Sequence, residues 1–233
     1  MEAVQIPPIS PLRMRTLRIV HEYMIEPFMG RREIVSTGGF EEIGDLGVIS
    51  DNFEADYHYG PTPRLMIRWI VEAIPKPHEA WTFVDIGSGR GRVLMEAVSY
   101  PFRRVIGIEF ARELHADADT NLAALPSKTI RAGAVDNRLA DATAFSVPAG
   151  PCVFYLANTL GGDLLRRFRD HVLTAHEATD TAMIFFYMNP ESPEVFAEDE
   201  RLEAFTMPPA PRFKLTHLAP YRVVAFRTRA GTV

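Results

Sequence analysis

The sequence predicts an α/β fold: a doubly wound, mostly parallel sheet with a terminal antiparallel hairpin and an N-terminal helical cap. Three observations predict it. Near-continuous apolar runs recur along the chain, as in "WTFVDI", "RRVIGIEF", "CVFYLAN" and "AMIFFYMNP". Strands covered on both faces read this way, and such strands belong to parallel sheets. Helical segments stand between those runs, which is the order of crossover connections. The tail "RFKLTHL-AP-YRVVAFRT" holds two strand-like runs separated by two residues, the spacing of a hairpin.

The elements follow in order. From Pro11 to Met29 a helical period is visible, with Leu12, Ile19, Tyr23 and Phe28 on one apolar side and Arg13, Arg15 and Arg18 elsewhere. This reads as an amphipathic cap helix; a basic strip facing a substrate is the sharper alternative. Residues from Ser36 to Pro63 form a long connection rich in Gly, Asp, Glu and Ser, ending in "YHYGPTP". Loops longer than about 15 residues inside a compact domain are usually functional or disordered. Pro63 suits a helix start with Thr62 as N-cap. Leu65, Ile67, Trp69 to Val71 and Ile74 carry that helix, and "PKP" stops it. Then come strand "WTFVDI", helix "GRVLMEAVSY", strand "RRVIGIEF", and helix "ARELHADADTNLAAL" with Leu114, Ala118, Leu122 and Leu125 on one side. A short third strand lies in "NRLADATAF", a fourth in "CVFYLAN" and a fifth in "AMIFFYMNP". The chain therefore divides into a cap, 1–62, and a core, 63–233.

Composition narrows the classes of function. At 233 residues and 47% hydrophobic, one domain with a modest appendage is expected. A net charge of −5 argues against a broad electrostatic grip on nucleic acid, although a local basic patch stays open. The single cysteine, Cys152, lies in an apolar run and reads as a small core residue. It builds neither a disulfide framework nor a zinc set, and a reducing, cytoplasmic location fits. The start of the chain, with Glu2 and two prolines before any apolar run, does not read as a signal peptide. No uncharged stretch approaches the ~20 residues that span a bilayer. The histidines are scattered, so no metal is expected. Phe185, Phe186 and Tyr187 read as core, Asn189-Pro190 as a turn, and the acidic run "AEDER" as a solvated face.

The chemistry gathers at "FVDIGSGRGRVLMEA", Phe83 to Ala97, where a strand runs into glycines at alternate positions and a helix begins. Gly87, Gly89 and Gly91 let the backbone turn tightly and approach a ligand without a Cβ in the way. Amides at the helix start can hold an anionic or polar group. A dinucleotide loop wants glycine or alanine at its sixth position, for close helix–strand packing. Here that position is Arg92, and no Gly-Lys-Ser/Thr follows for a phosphate loop. What remains is Asp85 at the strand end and a loop that clears room across it. Glu109 stands 18 residues past Gly91, where an acid can accept both ribose hydroxyls of an adenosine. Asp141-Ala142 ends the third strand, and its carboxylate can accept from an adenine amino group. Taken singly, each acid is also readable as a solvated strand-end residue.

Together, "VDIGSGRGRVL", "VIGIEF" and "ADAT" resemble the adenosine-binding core of class I S-adenosylmethionine-dependent methyltransferases, over roughly Tyr57 to Thr228. The resemblance implies a seven-stranded Rossmann-like sheet and S-adenosyl-L-methionine as cofactor. It implies Asp85, Gly87, Ser88, Gly89 and Gly91 around the amino-acid part, Glu109 at the ribose, Asp141 and Ala142 at the adenine edge, and Phe110 among the cofactor-binding residues. A narrower likeness is carried by "HYGPTPRLMIRWIVEAI", similar to the segment before the core in non-SET histone-lysine methyltransferases. That likeness implies that Tyr59, Gly60 and Thr62 close over the methionine end, and that Asn158 of "YLANTLGG" lines the channel for the nucleophile, its amide offered to the nucleophile or to the cofactor amine. "PFRRVIG" and the Tyr-x-Pro-Thr-Pro approach also resemble a bacterial group of methyltransferases. That group shows Asn-Pro-Phe where this chain has Asn158-Thr159-Leu160, a departure at the substrate side. No counterpart of the basic nucleosome-binding extension is present, so chromatin is not inferred as substrate.

The implied reaction is in-line displacement, in which the protein aligns nucleophile, methyl and sulfur and excludes water. Asn158, Tyr59 and His58 are the candidate catalytic residues. His58 reads more plainly as a partly buried loop residue, and its near-neutral pKa makes it a candidate base. The expected acceptor is a protein side chain or a small molecule, with no membrane, nucleic acid not expected and oligomeric state open. Two other readings stand beside this one: a non-catalytic module that binds the cofactor, and a dinucleotide-dependent oxidoreductase, against which Arg92 speaks.

Overall fold

The structure, a computed structural model, describes residues 10–29, 34–38, 41–42, 58–157 and 160–229. Helix α1, Pro11–Ile19, starts where the Ser10 hydroxyl accepts from Arg13 N. It runs through a π-helical turn, Val20–Ile25, into the short α2, Glu26–Met29. Two-residue strands β1, Glu41–Glu42, and β2, His58–Tyr59, pair antiparallel. Helix α3, Arg64–Ala73, follows; Ile74 turns extended because a residue before proline avoids the helical region. The main sheet and its crossovers are then laid down in turn: β3, Thr82–Ile86; α4, Arg92–Ala97; β4, Arg104–Glu109; α5, Arg112–Ala123; β5, Val135–Leu139; β6, Cys152–Leu156. The chain continues with α6, Gly162–Thr179; β7, Met183–Met188; α7, Glu194–Ala197; β8, Leu202–Ala204; α8, Pro209–His217; and β9, Val223–Thr228.

The seven strands lie in the order β5-β4-β3-β6-β7-β9-β8. The first five are parallel, and β9 runs antiparallel to both β7 and β8. Strand period 2 splits the core into two layers. Phe83, Val153, Tyr155 and Phe186 face α3, α4 and α8, while Val84, Phe154, Phe185 and Leu156 face α6 and α7. Doubly wound covering of a mostly parallel sheet is thus what the apolar runs encode. Cys152 is buried, with its thiol pKa pushed up to about 12 by burial, so it stays protonated and inert. Among the described residues no helix is long and apolar enough to cross a membrane, and no metal-binding cluster is present.

Four expectations are corrected. The terminal hairpin exists, but its first strand is Leu202–Ala204; the run "RFKLTHL" lies in α8. Prolines 208, 209 and 211 sit at the start of that run, where fixed φ favours a first helical turn, and Pro211 and Leu215 are its buried positions. Thr62 does not cap α3. Glu26 does so instead, its carboxylate accepting from Arg64 N at 2.5 Å, and the positive end of the helix favours that charge. The apolar side of the cap faces outward: Leu12, Ile19, Tyr23 and Phe28 are all exposed. The side turned toward the core is mixed: Met14, Leu17, Val20 and Ile25 are partly buried there, and beside them polar groups meet the carbonyls that the end of α8 leaves to satisfy. Arg13 donates to Thr216 O and His217 O at 3.0 and 2.7 Å, and His21 Nε2 lies 3.0 Å from Leu218 O. Finally, "AEDER" is not wholly solvated. Asp199 is partly buried between Arg169 and Arg201, at 3.1 and 2.7 Å, and Arg201 pulls its pKa down.

Candidate functional site

Parallel strands place their carboxyl ends together, and the order of this sheet reverses beside β3, where β4 and β6 flank it. The glycine loop leaves β3 at that point. Gly87, Gly89 and Gly91 all have positive φ, 72°, 52° and 79°, in the left-handed region where glycine carries no Cβ penalty. The loop is tied to β4: Gly87 N and Ser88 N both donate to Ile108 O, at 2.8 and 3.1 Å. Gly91 is also a contact point, since a Cβ there would meet Ala118 Cβ of α5 at 3.1 Å. The close helix approach therefore falls on Gly91. Arg92 turns away from it, its Nε donating to Thr37 Oγ1 at 2.7 Å and its Nη1 lying 3.6 Å from Glu26 Oε2.

Across the sheet, register aligns Asn137, Gly107, Asp85 and Tyr155 in one row. This row lies on the face that α4 covers, beneath the glycine loop. Asp85 is 2% exposed and its Oδ2 has no hydrogen-bond partner among the described residues. Ser88 Oγ and Asn137 Oδ1 are buried and unpartnered in the same way. Both crowd Gly107, where a Cβ would meet them at 2.9 and 2.7 Å. Burial, then the neighbouring charge of Glu109, pushes the Asp85 pKa well above the ordinary carboxylate range.

Glu109 closes β4. Its Oε2 accepts from Gly89 N at 2.8 Å, and its Oε1 from Phe110 N and Ala111 N, both at 2.9 Å. Burial raises its pKa, and those three amides, with His115, hold it back. A carboxylate offers about four acceptor positions, so Glu109 keeps roughly one beyond the amides. Thr62 is buried with its Oγ1 2.7 Å from Tyr155 OH, which in turn lies 3.4 Å from Met188 Sδ. Burial raises the Tyr155 pKa, so that hydroxyl is neutral. Asp141 follows β5, and its Oδ1 accepts from Thr143 N and Thr143 Oγ1 at 2.7 and 2.8 Å. Ala142 beside it packs on the core layer that faces α6. Asn158 lies outside the described residues, and of His58 and Tyr59 the backbone alone is described, in β2.

The structure thus brings Asp85, the three glycines, Ser88, Glu109, Phe110 and Asp141 to adjacent strand ends, with Thr62 over Tyr155. Sequence reasoning missed Tyr155, which looked like one more apolar strand position. It also missed Asn137 and Gly107, which only sheet register brings beside Asp85. Asn121 was missed as well. This buried amide on α5 accepts from Ile34 N and Val35 N at 3.0 and 2.9 Å and donates to Val35 O and Arg90 O at 2.9 and 3.1 Å. All four of its hydrogen-bonding positions are used, and residues 34–38 are thereby pinned beside the glycine loop. A polar residue three positions after Ala118, inside the apolar stripe of α5, was the available signal.

No protein-family model matches the sequence, and no curated protein matches it. Among solved structures the chain is similar to the mitomycin 7-O-methyltransferase MmcR, at 16% identity and TM-score 0.48, covering 71% of this chain and 54% of that one. It is similar to a predicted N6-adenine-specific DNA methylase from Listeria monocytogenes, at 11% identity and TM-score 0.49, covering 73% and 52%. It is also similar to an RNA methyltransferase from Salinibacter ruber in complex with S-adenosyl-L-homocysteine, at 17% identity and TM-score 0.43, covering 74% and 95%. The chain thus spans about half the length of the first two.

Proposed function

We propose that this chain is an S-adenosylmethionine-dependent methyltransferase, with a protein side chain or a small molecule as acceptor. The observation that carries the reading is the buried pair Asp85 and Glu109 under a left-handed glycine loop. Neither carboxylate has an arginine or lysine partner among the described residues, and Asp85 Oδ2 is unpartnered. Two buried acids, both with proton affinity raised by burial and Asp85 further by the charge of Glu109, fit a ligand that brings donors and positive charge. The cofactor's ammonium and ribose hydroxyls are of that chemistry. When bound, it supplies a methyl group activated by the sulfonium.

The residues divide the work. Asp85 would hold the amino-acid end, with Gly87, Ser88, Gly89 and Gly91 leaving room for it. Glu109 fixes the loop through Gly89 N and offers its remaining acceptor position to the ribose. Asp141 and Ala142 would border the adenine, beside Phe110. Thr62, held by Tyr155, anchors the approach from β2, and that approach with Asn158 would line the acceptor side and exclude water. His58, Tyr59 and Asn158 are the proposed catalytic positions. The narrower likeness upstream of the core favours a protein acceptor, and the net charge of −5 disfavours nucleic acid.

The test is calorimetric titration of S-adenosylmethionine, S-adenosylhomocysteine and NAD into the full chain. Binding of the first two is expected, with at least about a tenfold loss in Asp85→Asn, since a donor-rich cation then meets a neutral amide. Binding of NAD alone, or affinity unchanged in Asp85→Asn and Glu109→Ala, would overturn the reading.

A further inference from the structure

An arginine stands without a partner at the carboxyl edge of the sheet. Among the described residues, Arg222 is the half-buried arginine whose side chain meets neither a carboxylate nor a carbonyl. Its Nε is buried and has no hydrogen-bond partner. The other buried or half-buried arginines are held, as Arg64 and Arg92 are by Glu26 and Arg13 is by the carbonyls of α8. The acids of the neighbouring segments act elsewhere: Glu191 and Glu194 on Tyr187, and Glu22, together with Arg18, on Tyr221. A half-buried guanidinium with a buried N–H left unsatisfied costs stability, and an anion is the ligand that relieves it.

Register sets where this cation stands. Met188, the last residue of β7, pairs with Val223, the first of β9. Asn189 N donates to Arg222 O at 2.7 Å, so the ladder runs one step further and Arg222 opposes Asn189 just beyond the strand ends. Open α/β sheets bind their ligands at that edge. Met188 also belongs to the side on which Thr62 sits, because its Sδ lies 3.4 Å from Tyr155 OH, and that hydroxyl lies 2.7 Å from Thr62 Oγ1. Asp85, Glu109 and Asp141 belong to β3, β4 and the end of β5, on the other side of β6. Arg222 is thus on the acceptor half of the edge, away from the proposed cofactor half. We propose that Arg222 binds the acceptor, taking a carboxylate or phosphate that the acceptor carries beside the atom to be methylated. This rests on the methyltransferase reading and narrows its substrate to anionic molecules. One guanidinium charge matches one such group rather than the repeated charges of a nucleic acid.

The experiment is NMR of the isotope-labelled full chain, with S-adenosylmethionine or S-adenosylhomocysteine bound, while acetate or inorganic phosphate replaces chloride at constant ionic strength. The Nε–H resonance of Arg222 is identified by its loss in Arg222→Met. It should shift saturably, and the tighter of the two anions tells a carboxylate site from a phosphate site. The backbone amides of Asn189 and Val223 should give the same isotherm, and in Arg222→Met the affinity read there should fall by about tenfold or more. Each anion should bind about threefold more tightly beside S-adenosylmethionine than beside S-adenosylhomocysteine, because the first carries a positive sulfur and the second a neutral one. Arg222→Met should bind S-adenosylmethionine as the wild type does and melt no lower, since it loses an unsatisfied cation. No saturable shift with either anion, affinity unchanged in Arg222→Met, or equal affinity beside the two sulfur compounds would overturn the inference and leave the methyltransferase reading standing. So would a lower melting temperature in Arg222→Met, which would make Arg222 a structural residue. A chain that binds neither sulfur compound would overturn the methyltransferase reading, and this inference with it.

Discussion

Asp85 is a buried acid whose folded pKa lies above its unfolded one, and this fixes a sign. The folded chain binds the proton more tightly than the unfolded chain does. Stability from this group is therefore fully present below the ordinary carboxylate value, about 4, and is lost as pH rises through the raised pKa. Asp85→Asn removes that loss. Urea midpoints measured from acid to neutral pH should fall less steeply in the variant, and the unliganded variant should be the more stable protein at neutral pH. Affinity for S-adenosylmethionine should fall in the same variant. Gain of stability with loss of binding is the mark of a residue kept for a ligand. A midpoint profile identical to wild type would contradict the buried, proton-holding state of Asp85.

Among the elements, the attachment of the cap to the loop was the least visible beforehand. Asn121 behaves toward Val35 as a strand neighbour would, giving and taking a hydrogen bond, while its second N–H holds Arg90 O. Arg92 adds the bond to Thr37, and Arg90 pairs with Asp117 at 2.9 Å. Asn121→Ala should free residues 34–38 without opening the sheet. Amide exchange at Ile34 and Val35 should quicken by about 10- to 100-fold, the worth of one or two net hydrogen bonds. Amides of β3 and β4 should keep their protection. Uniformly faster exchange would mean that Asn121 supports the whole core. The hairpin teaches the complementary lesson at this scale. Two strand-like runs close in sequence looked paired, yet prolines turned the first into α8, and β9 found its partner in Leu202–Ala204.

For the molecule as a whole, a buried charge network joins cap to core. Arg64, 1% exposed, sits between Glu26 at 3.5 Å and Glu96 at 3.6 Å; Arg68 reaches Glu96 at 3.1 Å and Arg92 reaches Glu26. Replacing one partner of a buried pair strands the other charge, at about 3–5 kcal/mol. Glu96→Ala should therefore lower the melting temperature by roughly 10 °C in a chain of this size, and Glu96→Gln by less, because its amide oxygen still accepts. Loss of only a degree or two would show that the network is well hydrated.

The sequence by itself determined the sheet, its parallel body, its two-sided covering and the glycine loop. These rest on local properties: apolar runs of strand length, period 3.6 between them, and glycines at positions that the folded loop holds at positive φ. It also placed Glu109 at the end of its strand and Asp85 and Asp141 within two residues of theirs, from the change of composition where each strand gives way to a loop. Tertiary structure alone decided what those residues meet. Register set Asn137 and Gly107 beside Asp85; packing gave Tyr155 to Thr62 and Asn121 to Val35; and the carbonyls at the end of α8 drew Arg13 and His21 inward, leaving Leu12 and Phe28 outside. Such partners are far apart in the chain, so no local pattern encodes them, and only the closed fold brings them within bonding distance.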